Sequence, residues 1–128
     1  MKKITFIVEK TNTGFCAGAE DFDKYPAATT GKDITTLKKN IKYALDALCE
    51  YDGVPLIPES AIRVKLDLQQ FFEFYGINAK YLAKKIGMNP TLLSQYVNGV
   101  KKPSDKQVKK ILEGIKALGR ELLQLDLI

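Results

Sequence analysis

The sequence predicts an α+β chain of two lobes, a β-β-β-α-β unit over residues 1–67 and an all-helical unit over residues 68–128. Three observations carry that prediction. Apolar residues alternate with a period of two at both ends of the first stretch, whereas from Leu68 onward their spacing is helical throughout. Charge divides along the same line. Residues 1–75 hold 10 Lys and Arg against 11 Asp and Glu, and residues 76–128 hold 10 against 4, so a net +5 is made of −1 and +6. Finally, 128 residues are enough for two small lobes with modest cores.

The elements follow in order. Ile4, Phe6 and Val8 alternate with Thr5, Ile7 and Glu9; Asn12-Thr13-Gly14 supplies a turn, and Phe15 to Glu20 returns extended, so residues 3–20 read as a hairpin. Tyr25 to Thr30 is the third strand, with Pro26 placing it at a sheet edge or standing outside the pairing. Ile34, Leu37, Ile41, Ala44, Leu45 and Leu48 then form one apolar helical stripe, opened by a cap at Asp33 or Thr35 and stopped at Asp52-Gly53. A crossover with Pro55 and Pro58 leads to a fourth strand in which Ile62, Val64 and Leu66 alternate with charged residues.

Four helical stretches follow. Leu68 to Tyr75 ends at Gly76, and Ala79 to Ile86 ends at Gly87. A third begins at Asn89-Pro90, where proline's missing amide is harmless, and closes at Asn98-Gly99. Ser104-x-x-Gln107 reads as a capping box before a long run through Val108, Ile111, Leu112, Ile115, Leu118, Leu122 and Leu125, in which Gly119 is a candidate break.

Composition removes several functions. Zero His excludes Ser-His-Asp and Cys-His machinery and His-ligated metal sites. Cys16 and Cys49 suit neither a zinc quartet nor a Cys-x-x-Cys redox motif, and both read as packing residues. Asp21, Asp23 and Asp33 are turn or cap residues rather than a catalytic carboxylate set. Neither enzyme activity nor a metal or cofactor is expected. The apolar run after Met1-Lys2-Lys3 is broken at Glu9, too early for a signal peptide or membrane span, so the sequence reads as cytoplasmic with reduced cysteines.

The stretch from Ala79 to Asn98 has the parts a helix-turn-helix needs. Ala83 is a small residue for the helix crossing, and Gly87 suits a turn with positive φ. Leu93, supported by Tyr96, plugs the core from the second helix, and Leu82, Ile86 and Met88 complete the buried set. With Leu82-Ala83, Gly87 and the run Ser94, Gly99 and Pro103, residues 77–103 resemble the lambda-repressor/Cro-like (XRE-type) helix-turn-helix family. The resemblance implies a recognition helix in the DNA major groove. Carried over by position, Asn89, Thr91, Ser94 and Gln95 would face bases or adjoining phosphates, and Lys84, Asn98, Lys101 and Lys102 would lie beside phosphates. Gln95 is the most informative, because its amide matches adenine N6 and N7. Pro90 departs from the commoner polar residue at its position. Repressors of this class bind as symmetric dimers, and the leucine face after Val108 is a candidate surface for a homodimer or a higher even oligomer.

The first lobe carries a second resemblance. An opening strand ending in Glu9-Lys10, Gly14, Gly31-x-Asp33, Asn40, Ala44-Leu45, and the crossover Gly53-Val-Pro55-Leu-Ile-Pro58-Glu59-Ser60 are similar to the HicB antitoxin family over most of residues 3–67. The departure is at residues 21–26, where the family often carries a Pro-Gly element. The resemblance implies a degenerate RNase H-like fold without catalytic acids, which occludes a small basic HicA-type ribonuclease toxin while the helix-turn-helix represses the shared operon. Glu20, Asp21 and Asp23 offer acidic character toward such a toxin. The alternative is a stand-alone XRE-family transcriptional regulator whose first lobe binds a ligand or serves assembly.

Overall fold

The structure, a computed structural model, describes residues 2–126. The chain divides into two compact units, Met1–Phe71 and Phe72–Ile128. At this boundary the first unit holds 10 basic and 10 acidic residues and is neutral, while the second holds 10 against 5 and carries the whole +5.

The first unit is a four-stranded sheet of β1 (Ile4–Lys10), β2 (Phe15–Ala19), β3 (Ala28–Gly31) and β4 (Ile62–Leu66), in the order β3-β2-β1-β4. β1 pairs antiparallel with β2 and parallel with β4, so Phe6 lies between Ala19 and Val64, and Val8 between Ala17 and Leu66. Period-two alternation thereby sends Ile4, Phe6, Val8, Ala17 and Ala19 to one face, where they form one core with Leu37, Ile41 and Leu45 of α1 (Ile34–Asp52). Asp33 caps α1 by accepting the Thr36 N–H at 2.7 Å, and that bond holds its carboxyl below the usual range. Gly53, in the left-handed region at φ 66°, ends the helix.

The third strand is shorter than its residue types suggested. Residues 25–27 lie before it: the Tyr25 N–H closes a turn onto the Asp21 carbonyl, and the Ala27 N–H bonds the Tyr25 carbonyl around Pro26. Pro26 thus precedes the edge strand rather than entering it. Gly14 and Gly31 are glycines for a different reason from turn chemistry, since neither has positive φ. A Cβ on Gly14 would lie 2.4 Å from the Gly31 carbonyl oxygen, and one on Gly31 would lie 2.5 Å from the Leu37 backbone nitrogen. β2, β3 and the start of α1 approach one another across these two positions.

α2 (Leu68–Tyr75) begins where Asp67 accepts the Gln70 N–H, and Gln70 in turn exchanges two 2.8 Å hydrogen bonds with the Lys10 backbone. In the second unit, α3 (Ala79–Ile86) packs against α4 (Pro90–Val97) and α5 (Asp105–Leu123). Leu82, Ala83, Met88, Leu93, Val97 and Ile111 are buried there. Val97, one turn beyond Leu93, takes the buried place that Tyr96 was expected to support; Tyr96 and Ile86 are half-buried.

α5 is one continuous helix, so Gly119 does not divide it, and Leu125 falls beyond its last turn. Ser104 caps it by accepting the Gln107 N–H. Gly114 is buried, and an added Cβ would sit 2.3 Å from Ile86 Cγ2 and 3.1 Å from Leu82 Cδ1, whereas Gly119 has nothing within 4 Å. Gly114→Ala is expected to lower the stability of this unit by about 1–3 kcal/mol through overpacking. Gly119→Ala is expected to raise it by about 0.5–1 kcal/mol, from helix propensity and a less flexible unfolded chain. Urea titrations followed by circular dichroism distinguish the two; an equal gain at both would mean that α3 does not abut α5 at Gly114.

No helix among the described residues is long and apolar enough to cross a membrane. No group of three or more His, Cys, Asp or Glu among them is placed to hold a metal ion.

Candidate nucleic-acid interface

The turn between α3 and α4 is built from backbone bonds. Asn78 opens α3 by accepting the Tyr81 N–H at 3.0 Å. Gly87, at φ 68°, directs its N–H to the Ala83 and Lys84 carbonyls, and the Met88 N–H bonds the Ala83 carbonyl at 2.9 Å. Any side chain at Gly87 would strain this left-handed cap, so glycine is required for geometry and not for space. Asn89 starts α4 two residues later, its Oδ1 accepting the Thr91 N–H at 2.8 Å and the Leu92 N–H at 3.3 Å, with Pro90 in the first turn.

α4 has two unlike faces. Leu93 and Val97 point into the core. Thr91, Ser94 and Asn98 are exposed, and Gln95 is half-buried. Spaced at intervals of three and four residues, these four share the outward face. The Asn98 amide donates to Ser94 Oγ at 3.2 Å, so two of the expected contact residues hold each other in place. The Gln95 carbonyl accepts the Val100 and Lys101 N–H groups at 2.9 and 3.2 Å, which fixes the loop carrying Lys101 and Lys102 to the end of the helix. Both lysines are exposed, as is Lys84 on α3.

This arrangement brings together Thr91, Ser94, Gln95 and Asn98, with Lys101 attached through the backbone, and it narrows the part open to Asn89. Because Asn89 Oδ1 is occupied as a cap, that residue has only amide donors to offer a ligand. Lys85, next to Lys84, is half-buried and forms an ion pair with Glu121 of α5; the hydrogen bond to that carboxylate raises its pKa. Adjacent lysines therefore do different work, one closing the fold and the other facing solvent. Lys80, exposed one turn before Lys84, adds a second cation at i, i+4 spacing that the helix-turn-helix motif does not single out. Chemically, the face offers hydroxyl and amide groups that donate and accept, flanked by cations, in a unit of net charge +5.

Comparison with known proteins agrees with this geometry. Residues 61–119, just under half of the chain, match the family model described as helix-turn-helix. Neither curated proteins nor solved structures gave a match.

Proposed function

We propose that the helix-turn-helix of this chain reads an operator through α4, and that the N-terminal unit restrains a small ribonuclease toxin in the manner of HicB antitoxins. The observation that carries the DNA part is the polar outward face of α4 set against Leu93 and Val97, with the lysine loop fixed to its end. An eight-residue helix rises about 12 Å, comparable with the roughly 12 Å width of a major groove. Gln95, near the middle of that face, supplies the bidentate adenine contact, and Lys84, Lys101 and Lys102 neutralise phosphates.

Gln95→Ala is expected to lose about 1–3 kcal/mol at the operator and to relax preference at one position per half-site. Lys101→Ala should instead weaken all sequences alike and reduce the log–log salt slope by about one. Fluorescence anisotropy over a series of operator substitutions and salt concentrations separates the two. If Gln95→Ala keeps the wild-type sequence preference, α4 is not the reader.

A symmetric dimer is supported by α5. Ile111, Ile115, Leu118 and Leu122 recur at four, three and four residues, the spacing of a helix-pairing seam. Ile111 is buried in its own unit, Ile115 and Leu118 are half-buried, and Leu122 is exposed, so the seam outruns the core that could cover it. Leu122→Glu is expected to shift the chain to monomer in light scattering and weaken operator binding about a hundredfold through lost avidity. An unchanged mass would place the dimer contact elsewhere.

The toxin-restraining part is supported by the HicB-like motifs and by the strand and helix order around them. The product of a short basic reading frame beside this gene should arrest growth alone and be relieved by the chain; growth arrest that persists overturns the reading. A cavity of about 240 Å³ lined by Lys2, Lys3, Thr5, Glu20, Asp21 and Tyr25 among others is the observation on the side of a ligand-sensing, stand-alone regulator. Its volume lies below the roughly 300–1,000 Å³ of small-molecule sites, and its lining mixes both charges, so the antitoxin reading is preferred.

A further inference from the structure

The end of α1 and the crossover after it differ from the rest of the first unit. Tyr51 is 89 % exposed, Val54 50 % and Leu56 53 %, and Tyr43, about two turns earlier on α1, is 67 % exposed. Single exposed apolar side chains are ordinary; several close together mark a contact surface. Residues 50–60 also carry Glu50, Asp52 and Glu59 with no Lys or Arg. Glu50 and Asp52 occupy the last turn of α1, where the helix dipole is already negative and no basic residue offsets it. This placement works against the stability of its own helix. Pro55 and Pro58 restrict the crossover, which lowers the ordering entropy a contact would cost.

We infer that Tyr51, Val54 and Leu56, rimmed by Glu50, Asp52 and Glu59, form the docking surface for a basic protein, whose RNA-binding face they cover. The inference rests on the antitoxin reading and supplies its contact residues. Charge complementarity selects the occupant: nucleic acid and anionic lipid are repelled by a segment of three carboxylates, whereas a protein that grips RNA must present clustered Lys and Arg. Tyr51 suits such a partner, since an aromatic ring accepts a guanidinium over its face and tyrosine is enriched among residues that dominate binding energy. Covering that basic face makes restraint competitive, because RNA and this chain would occupy the same surface.

The test is calorimetric titration of the full chain with a ribonuclease-inactive form of the protein encoded beside it. Saturable binding is expected for the wild type, displaced by added RNA. The pair Tyr51→Ser and Leu56→Ser, and separately Glu50→Lys with Glu59→Lys, should each weaken it roughly 30-fold or more, with operator affinity and thermal midpoint unchanged. Reversal at Glu20 and Asp21, the other acidic stretch, should have the smaller effect. Wild-type binding that these crossover variants leave intact overturns the surface while leaving the antitoxin reading in place. No wild-type binding overturns both. A change confined to the mass of the chain in light scattering would make the surface a contact between copies and overturn the basic partner.

Discussion

Leu93→Ala should destabilise the helical unit by about 2–5 kcal/mol and remove operator binding with it. Leu93 is fully buried, and Val97 is the one other buried residue among the eight of α4. A unit of fewer than sixty residues has little margin, since stability is about 0.05–0.15 kcal/mol per residue. The cavity left by truncation therefore takes a large share of the total. Thr91→Ala, on the opposite face, should leave the urea midpoint unchanged and affect only the DNA complex. Circular dichroism in urea measures both variants, and a wild-type midpoint for Leu93→Ala would mean that α4 is not held to the core through that residue.

Gly31→Val should cost the first unit at least about 3 kcal/mol, the upper range for overpacking. The Cβ alone would meet the Leu37 nitrogen at 2.5 Å and Leu37 Cα at 2.7 Å. These are backbone atoms, so no side-chain rotation relieves the clash. Leu37 is itself one of the fully buried residues, so moving the start of α1 away extracts a core anchor. Gly18→Ala provides the contrast, because a Cβ there meets only the Ala28 Cβ at 4.0 Å. Thermal unfolding of the two variants decides the matter: comparable midpoints would show that β3 and α1 can separate at no cost.

Features set by neighbours in sequence were legible. The stripe of Leu37, Ile41 and Leu45, the caps at Asp33, Asn89 and Ser104, and the stop at Gly87 all depend on residues within one or two turns, and the structure has them where spacing placed them. Features set by distant approach were not. Nothing near Gly31 or Gly114 announces that Leu37 or Ile86 will lie against them, and both glycines look locally like turn residue and helix weakness. Pro26 illustrates the intermediate case: a place for the strand at the sheet edge and a place for Pro26 outside the pairing were both legible, while the turn closed between Asp21 and Tyr25 was not. For the interface, the polar positions of α4 were readable from the core pattern. That the Asn89 side-chain oxygen is taken up by the cap was not, because it depends on which way one amide turns.

The parallel pairing of β1 with β4 has a consequence for synthesis. β1 is an interior strand whose second neighbour begins at Ile62, more than fifty residues downstream. Until the ribosome has released that segment, a nascent chain with its hairpin formed presents one whole side of β1 as an open template, the kind of edge that recruits other strands. A message cut short before residue 62 would therefore yield not a weaker protein but an adhesive one, best left to proteolysis.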